Sequence, residues 1–130
     1  MDDLAMSPRR PYLFKAIYDW IVDNGLTPHI IVNTTVYGVI VPSEYIQNNQ
    51  IVLNIAPQSV GQYSVNNDEI EFNARFAGQP NHIVVPMAAI EAVYARENGA
   101  GIAFEAEPQY ENRTAEEPTK KPTSPFRVVK

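Results

Sequence analysis

The chain has 130 residues, 45% hydrophobic and 19% charged, with a net charge of −5 and no cysteine. That length carries one domain with a modest core, and the missing thiols exclude disulfides, thiolate metal sites and cysteine nucleophiles. No apolar run approaches the about eighteen residues of a membrane span, and the acidic start Met1-Asp2-Asp3-Leu4 opens no signal peptide, so a soluble cytoplasmic protein with no membrane partner is expected.

The first predicted element is a helix over about 8–23. Ser7-Pro8 supplies a capping hydroxyl and a proline near the first turn, and Asn24-Gly25 followed by Pro28 ends it. At 100° per residue its apolar side chains sweep an arc of roughly 240°, leaving Lys15, Asp19 and Asp23 beside Tyr12 as the polar strip. A helix facing one core needs a stripe little wider than about 100°. The surplus side is expected to meet a second body, most simply the same helix of a twofold-related subunit. Tyr12, Leu13, Ala16 and Trp20 are the candidate seam, with Tyr12, Ala16 and Trp20 spaced i, i+4, i+8.

After Pro28 the pattern turns to short β-rich runs. His29–Val32, Gly38–Val41, Ile51–Ile55, Glu69–Phe76 and His82–Val85 are predicted strands separated by turn residues. In Glu69–Phe76 the residues Ile70, Phe72, Ala74 and Phe76 fall on one face and Glu69, Glu71, Asn73 and Arg75 on the other. Asn66-Asn67-Asp68 supplies the turn before that strand. Pro86–Ala89 can open a short helix. Residues 90–96 and 101–105 flank the glycine turn Asn98-Gly99-Ala100-Gly101 and are predicted as a hairpin. The fold class expected is mainly β with an N-terminal α-helix, as a small, partly open barrel or two-sheet domain.

The supply of catalytic groups is thin. His29 and His82 stand at strand ends without a metal-ligand set. Glu69 and Glu71, two apart on one strand face, have the geometry of a solvated face more than of an acid and base pair. Gly99-Ala100-Gly101 lacks the rest of a dinucleotide loop, and Ser59 and Ser64 have no nucleophile elbow around them. No catalytic residue, metal site or cofactor is predicted, and an enzyme is not.

The C-terminal part reads differently. Residues 112–125 have no large apolar side chain, and the chain then ends in Phe126-Arg127-Val128-Val129-Lys130. A segment that cannot bury apolar area stays disordered, so residues 1–110 are expected to form the domain, 111–125 a flexible linker and 126–130 a docking hook for another protein. Thirteen linker residues span about 20 Å on average. Residues 1–110 hold twelve acidic and five basic side chains, a charge of −7, whereas 111–130 hold three and five, a charge of +2. Nucleic acid is therefore a poor partner for the domain.

Several long motifs in one order resemble a known family. Pro8-Arg9-Arg10-Pro11-Tyr12-Leu13, Leu26-Thr27-Pro28-His29, Gln50–Pro57, Phe72-Asn73-Ala74-Arg75-Phe76 and Tyr94–Gly101 are similar to those of stringent starvation protein B, SspB, over residues 6 to about 108, and Arg127-Val128-Val129-Lys130 is similar to that family's tail motif. The resemblance implies a homodimeric adaptor of Sm-like β fold with an N-terminal helix. Such an adaptor binds the ssrA degradation tag, which transfer-messenger RNA adds to stalled nascent chains, and delivers the tagged polypeptide to the ClpX unfoldase of the ClpXP protease. Any ribosome association would then run through nascent chains. The helix would be the dimer seam, and Phe126, Arg127, Val128, Val129 and Lys130 the hook for the N-terminal domain of ClpX.

The tag groove is then expected on the β domain. Phe72, Ala74 and Phe76 would offer apolar contacts and a close backbone approach, and Arg75 a charge for the acidic centre of the tag. Gln58, Ser59, Val60, Met87 and Ala88 would form walls, with Ile102 and Phe104 from the last hairpin. Ser59 and Ile102 are positions expected to vary in the family, with consequences for pocket shape. The alternative reading is an Sm-like RNA-binding module, against which stand the domain's charge and the lack of a basic stripe interleaved with aromatics. Steep salt dependence would mark RNA binding, and modest dependence a peptide tag.

Overall fold

A computed structural model describes residues 6–110. Its elements are the helix α1 (Arg10–Asp23) and seven strands: β1 (Pro28–Asn33), β2 (Gln50–Asn54), β3 (Gly61–Val65), β4 (Glu69–Phe76), β5 (Gln79–Pro86), β6 (Ile90–Ala95) and β7 (Gly101–Ala103). The strands form two antiparallel sheets, one ordered β2-β1-β6-β7 and one ordered β3-β4-β5, and the two do not close into a barrel. The mainly β class with one N-terminal helix is thus as expected. Among the described residues no helix is long and apolar enough to cross a membrane. The segments expected to be a linker and a hook, residues 111–125 and 126–130, lie outside the described residues.

One hydrophobic cluster joins the sheets and the helix. Ile30 and Val32 of β1, Leu53 of β2, Ile70 and Phe72 of β4, Ile83 and Val85 of β5, and Ile90 and Val93 of β6 are all buried with Phe14 and Ile21 of α1. Their alternation with exposed or half-buried neighbours is the period of two that a half-buried strand imposes. Each such side chain contributes about 1.5–3 kcal/mol on burial.

The start of α1 corrects the sequence reading. The helix begins at Arg10, two residues later than expected, and its N-cap is Arg9 with no side-chain cap, so Ser7 does not cap it. The orphan donors of the first turn are instead met from the other end of the domain. The Glu107 carboxylate accepts hydrogen bonds from the backbone N–H of Arg9 at 2.8 Å and of Arg10 at 3.2 Å. A carboxylate there also meets the positive end of the helix dipole, and Glu107 itself is buried.

The buried Arg10 side chain completes the junction. Its Nη1 donates to the carbonyl oxygens of Met87, Ala88 and Ile90 at 3.1–3.2 Å and its Nη2 to that of Glu105 at 2.9 Å. The guanidinium also lies 4.6 Å from the centre of the Tyr110 ring and 5.4 Å from that of Phe104. The far end of α1 stops as expected: Gly25 takes φ +74°, and its N–H and that of Leu26 bond back to Val22 and Ile21 in a Schellman arrangement.

Two further strand expectations change. Gly38–Val41 is not a strand; it contributes one isolated bridge, Ile40 to Val84. Gly38 has φ +97° on one side and Pro42 has no N–H on the other, so the ladder cannot extend. β3 was not anticipated, because Gly61-Gln62-Tyr63-Ser64-Val65 mixes polar and small residues and pairs with β4 through a register shift between Gly61 and Ser64. The last hairpin is present with β7 ending at Ala103. A Cβ on Gly101 would fall 2.1 Å from the Val93 carbonyl oxygen, so only glycine allows this pairing. The short helix expected at Pro86–Ala89 is a single 3-10 turn, Met87–Ala89.

A carboxylate also fastens the join between β1 and the last hairpin. Glu97 accepts from the Thr27 hydroxyl at 2.6 Å and from the Thr27 backbone N–H at 2.9 Å, while Arg96 N–H donates to the Thr27 carbonyl. The two bonds from Thr27, the hydroxyl's first, hold the Glu97 carboxyl down at about 2.

Replacing Arg10 by Met should take one donor from each of four carbonyl oxygens and lower unfolding free energy by about 3–5 kcal/mol. Glu107→Gln, which keeps one of the two acceptor oxygens and turns an amide NH2 towards the other backbone N–H, should cost about 1–3 kcal/mol in the same urea titration. The Glu97 pKa lies below its unfolded value, so its stabilisation is present above that value and is lost as pH falls from about 4.5 towards about 2. Thr27→Val should flatten the stability profile in that window, measured by denaturation at several pH values.

Candidate binding groove

The recess with the largest volume among those described, ≈ 780 Å³, lies where the two sheets part. Val52, Leu53 and Asn54 of β2 line one side and Phe72 to Phe76 of β4 the other, with Gln58, Ser59, Val60 and Gly61 between them and Pro80 of β5 at the margin. β2 and β3 are each the edge strand of their sheet, so backbone groups unpaired within the sheets contribute to this region beside the side chains.

Local sequence explains each wall. The Asn54 carboxamide accepts from the Ala56 N–H at 2.9 Å, and the Ser59 N–H donates to the Ala56 carbonyl at 2.8 Å, so the chain leaves β2 through two tight turns that present Gln58 and Ser59 outward. The register shift at Gly61, with Gln62 at φ +52°, then re-aims the start of β3. On β4 the alternation brings Phe72, Ala74 and Phe76 to the apolar face. Phe72 is buried, Ala74 and Phe76 are half-buried, and the small Ala74 leaves space over the strand backbone. Leu53 is buried, while Val52 is half exposed.

The polar members sit on the rim. Arg75 is exposed and donates to the Gly78 carbonyl at 3.1 Å without a carboxylate partner among the described residues. Asn73 bridges strands: its amide donates to Gln62 at 2.7 Å and its oxygen lies 3.0 Å from His82 Nδ1, while His82 Nε2 stands 2.8 Å from Glu71. His29 is half-buried against Tyr94, and its pKa is lowered by burial and by Arg96. The Tyr63 hydroxyl is buried with no partner among the described residues, and burial pushes its pKa up, which keeps the phenol neutral.

Seven of the expected groove residues therefore meet in one recess: Gln58, Ser59, Val60, Phe72, Ala74, Arg75 and Phe76. Four do not. Met87 is wholly buried in the core beneath Arg10, Ala88 lines a different recess beside Pro86, and Ile102 and Phe104 line a third beside Arg9 and Leu13. For Ile102 and Phe104 the cause is strand order, since β7 is the edge furthest from β2 and the last hairpin lies across the sheet from the groove. Met87 and Ala88 belong to the 3-10 turn between β5 and β6, with Met87 packed into the core.

Sequence reasoning left out Val52, Leu53, Asn54, Gly61, Asn73 and Pro80. It also left out Tyr45, whose ring lies 5.0 Å from that of Phe76. An exposed valine inside a predicted strand, and an exposed tyrosine in a loop, were the available signals. On α1, the seam candidates Tyr12, Leu13, Ala16 and Trp20 are all exposed, with Tyr12 at 53% and Trp20 at 49%. The hook residues Phe126, Arg127, Val128, Val129 and Lys130 lie outside the described residues.

Comparison with known proteins agrees with the motif reading. Residues 8–126 match the family described as Stringent starvation protein B. A Stringent starvation protein B homolog of Haemophilus influenzae is 47% identical over 123 residues, covering 95% of this chain and 82% of that protein. With a family match over most of its length and a relative this similar, the chain belongs to the stringent starvation protein B family.

Proposed function

We propose that this chain is a non-catalytic adaptor that holds an ssrA-tagged polypeptide in the groove between β2 and β4 and tethers it to the ClpX unfoldase through its C-terminal hook. The observation that carries the reading is the groove itself: a recess of ≈ 780 Å³ with Leu53, Val60, Phe72 and Phe76 as apolar wall and Arg75 at the rim. Short extended peptides are recognised by such a combination of apolar pockets, edge-strand backbone and a few oriented polar groups. Arg75, with no carboxylate partner among the described residues, is available to the acidic centre of the tag.

The exposed face of α1 is the second element of the proposal. Tyr12, Leu13, Ala16 and Trp20 occupy an arc of about 100°, the width one helix presents to another, and burying them against the same face of a second copy makes the adaptor a homodimer. Two groove sites and two hooks would then act together. Engagement of one hook raises the effective concentration of the other to roughly millimolar, so two weak contacts suffice to keep the substrate beside the unfoldase. Phe126, Val128 and Val129 would supply the apolar part of each hook, and Arg127 and Lys130 the charge.

A labelled ssrA-tag peptide titrated with this protein in fluorescence anisotropy should bind at micromolar concentration or tighter, and equally well when the chain is cut before Phe126. Arg75→Glu should weaken binding by about tenfold, the equivalent of 1.4 kcal/mol. Absence of binding by both the full and the shortened chain would remove the tag from the proposal. Ala16→Glu, which sets two carboxylates against each other across a twofold seam, should convert the sedimenting species from dimer to monomer; an unchanged sedimentation coefficient would place the subunit contact elsewhere.

A further inference from the structure

A second recess, of ≈ 440 Å³, shares no lining residue with the groove. Pro8, Pro11, Tyr37 and Tyr110 contribute to its walls, and Asp68 and Glu69 bring two carboxylates to it. Tyr37 is 66% exposed, which leaves a large ring uncovered beside a concave surface. Neither Asp68 nor Glu69 forms an ion pair among the described residues. Tyrosine rings, prolines and free carboxylates around one recess form a surface suited to a proline-rich, basic strand, whose polyproline II ridges stack on aromatic rings and whose lysines meet the acids.

The chain contains such a strand. Pro118-Thr119-Lys120-Lys121-Pro122-Thr123-Ser124-Pro125 begins eight residues after Tyr110, has two prolines spaced Pro-x-x-Pro, and carries two adjacent lysines. The seven residues 111–117 are a sufficient connection, since a flexible link of that length spans about 15 Å on average. Attachment at the edge of the recess keeps the local concentration of the strand in the millimolar range, where even a weak site is substantially occupied. Charge points the same way: the tail carries +2 and the domain −7.

We propose that residues 118–125 dock intramolecularly into the recess between Pro11, Tyr37 and Tyr110, with Pro122 and Pro125 against the rings and Lys120 and Lys121 towards Asp68 and Glu69. Docking holds residues 126–130 against their own domain, and release extends them. Its consequence for tethering, that a partner of the hook must compete with the domain for the tail, rests on the adaptor reading. The docking itself rests on neither the groove nor its ligand, since groove and recess share no residue. Tyr12, which also lines the recess, belongs to the proposed seam, so a second copy seated there would compete with the tail.

The chain has no cysteine, so Arg127→Cys gives one attachment point for a nitroxide on the full-length protein. Paramagnetic broadening should erase the amide signals of Tyr37, Gly38, Asn67 and Asp68. The comparison is an equally long tail carrying Lys120→Glu, Lys121→Glu and Pro122→Gly, in which those signals should recover several-fold. Tyr37→Ala should reduce the broadening of the remaining three. Equal broadening with both tails, or broadening spread evenly over the surface, would overturn the proposal. Broadening transferred to isotope-labelled, nitroxide-free protein in a mixture would also overturn it, by showing that the strand comes from another copy. Failure of the ssrA titration would leave these signals unchanged.

Discussion

A guanidinium taken out of water needs partners for its donors, and the way Arg10 finds them for its two Nη groups, its Nε having none among the described residues, organises the domain. Four carbonyl oxygens, two from the turn that leads from β5 into β6, one from the first residue of β6 and one from the segment after β7, converge on one side chain at the first turn of α1. Burial lowers the pKa of Arg10, and Tyr110, Glu107 and Glu91 act in the opposite direction. Glu107 accepts from the first N–H groups of the same helix. Helix, inter-sheet turn and C-terminal segment are thereby fixed to one point, and the position of the exposed helix face follows from it.

The groove is a consequence of the same economy of strands. Seven short strands divide into two sheets that share a core on one side and part on the other. Closing the barrel would require pairing at both seams between the sheets; at the seam beside the groove, β2 and β3 are separated by the turns at Asn54–Ser59 and the register shift at Gly61. Edge strands invite pairing with another chain. Here the opening is lined by Val52, Val60 and Phe76 and bordered by Arg75, so the exposed edges lie beside a surface with shape and charge of its own.

The helix shows how surplus apolar area acquires a meaning. Phe14 and Ile21 satisfy the core and Tyr18 stacks on Tyr63, yet Tyr12, Leu13, Ala16 and Trp20 remain uncovered. A monomer tolerates scattered exposed apolar residues. A contiguous set on one helix face is different, and its exposure after folding restates in three dimensions the excess arc already visible in one.

Local chemistry carried far enough to define much of this protein from its sequence. The helix stop at Asn24-Gly25, the alternation of Ile70, Phe72, Ala74 and Phe76, the asparagine turn before β4 and the glycine turn before β7 depend on neighbours a few residues apart, and each is as read. Clustered motifs likewise sufficed for the family, because they need only order and spacing. What depended on distant partners was not legible. The helix cap comes from Glu107, which nothing around Ser7 announces. Gly38–Val41 loses its strand character to Pro42 and its single bridge to Val84, and β3 exists only because β4 offers a ladder to an otherwise unremarkable run. Seven residues of the recess were named from β4 and the loop after β2; Val52, Leu53 and Asn54 joined them and Ile102 and Phe104 left through strand order, while Met87 and Ala88 left because the turn after β5 packs elsewhere. Periodicity tells which face of a strand is apolar. Which other strand that face meets is set by the packing of the whole chain.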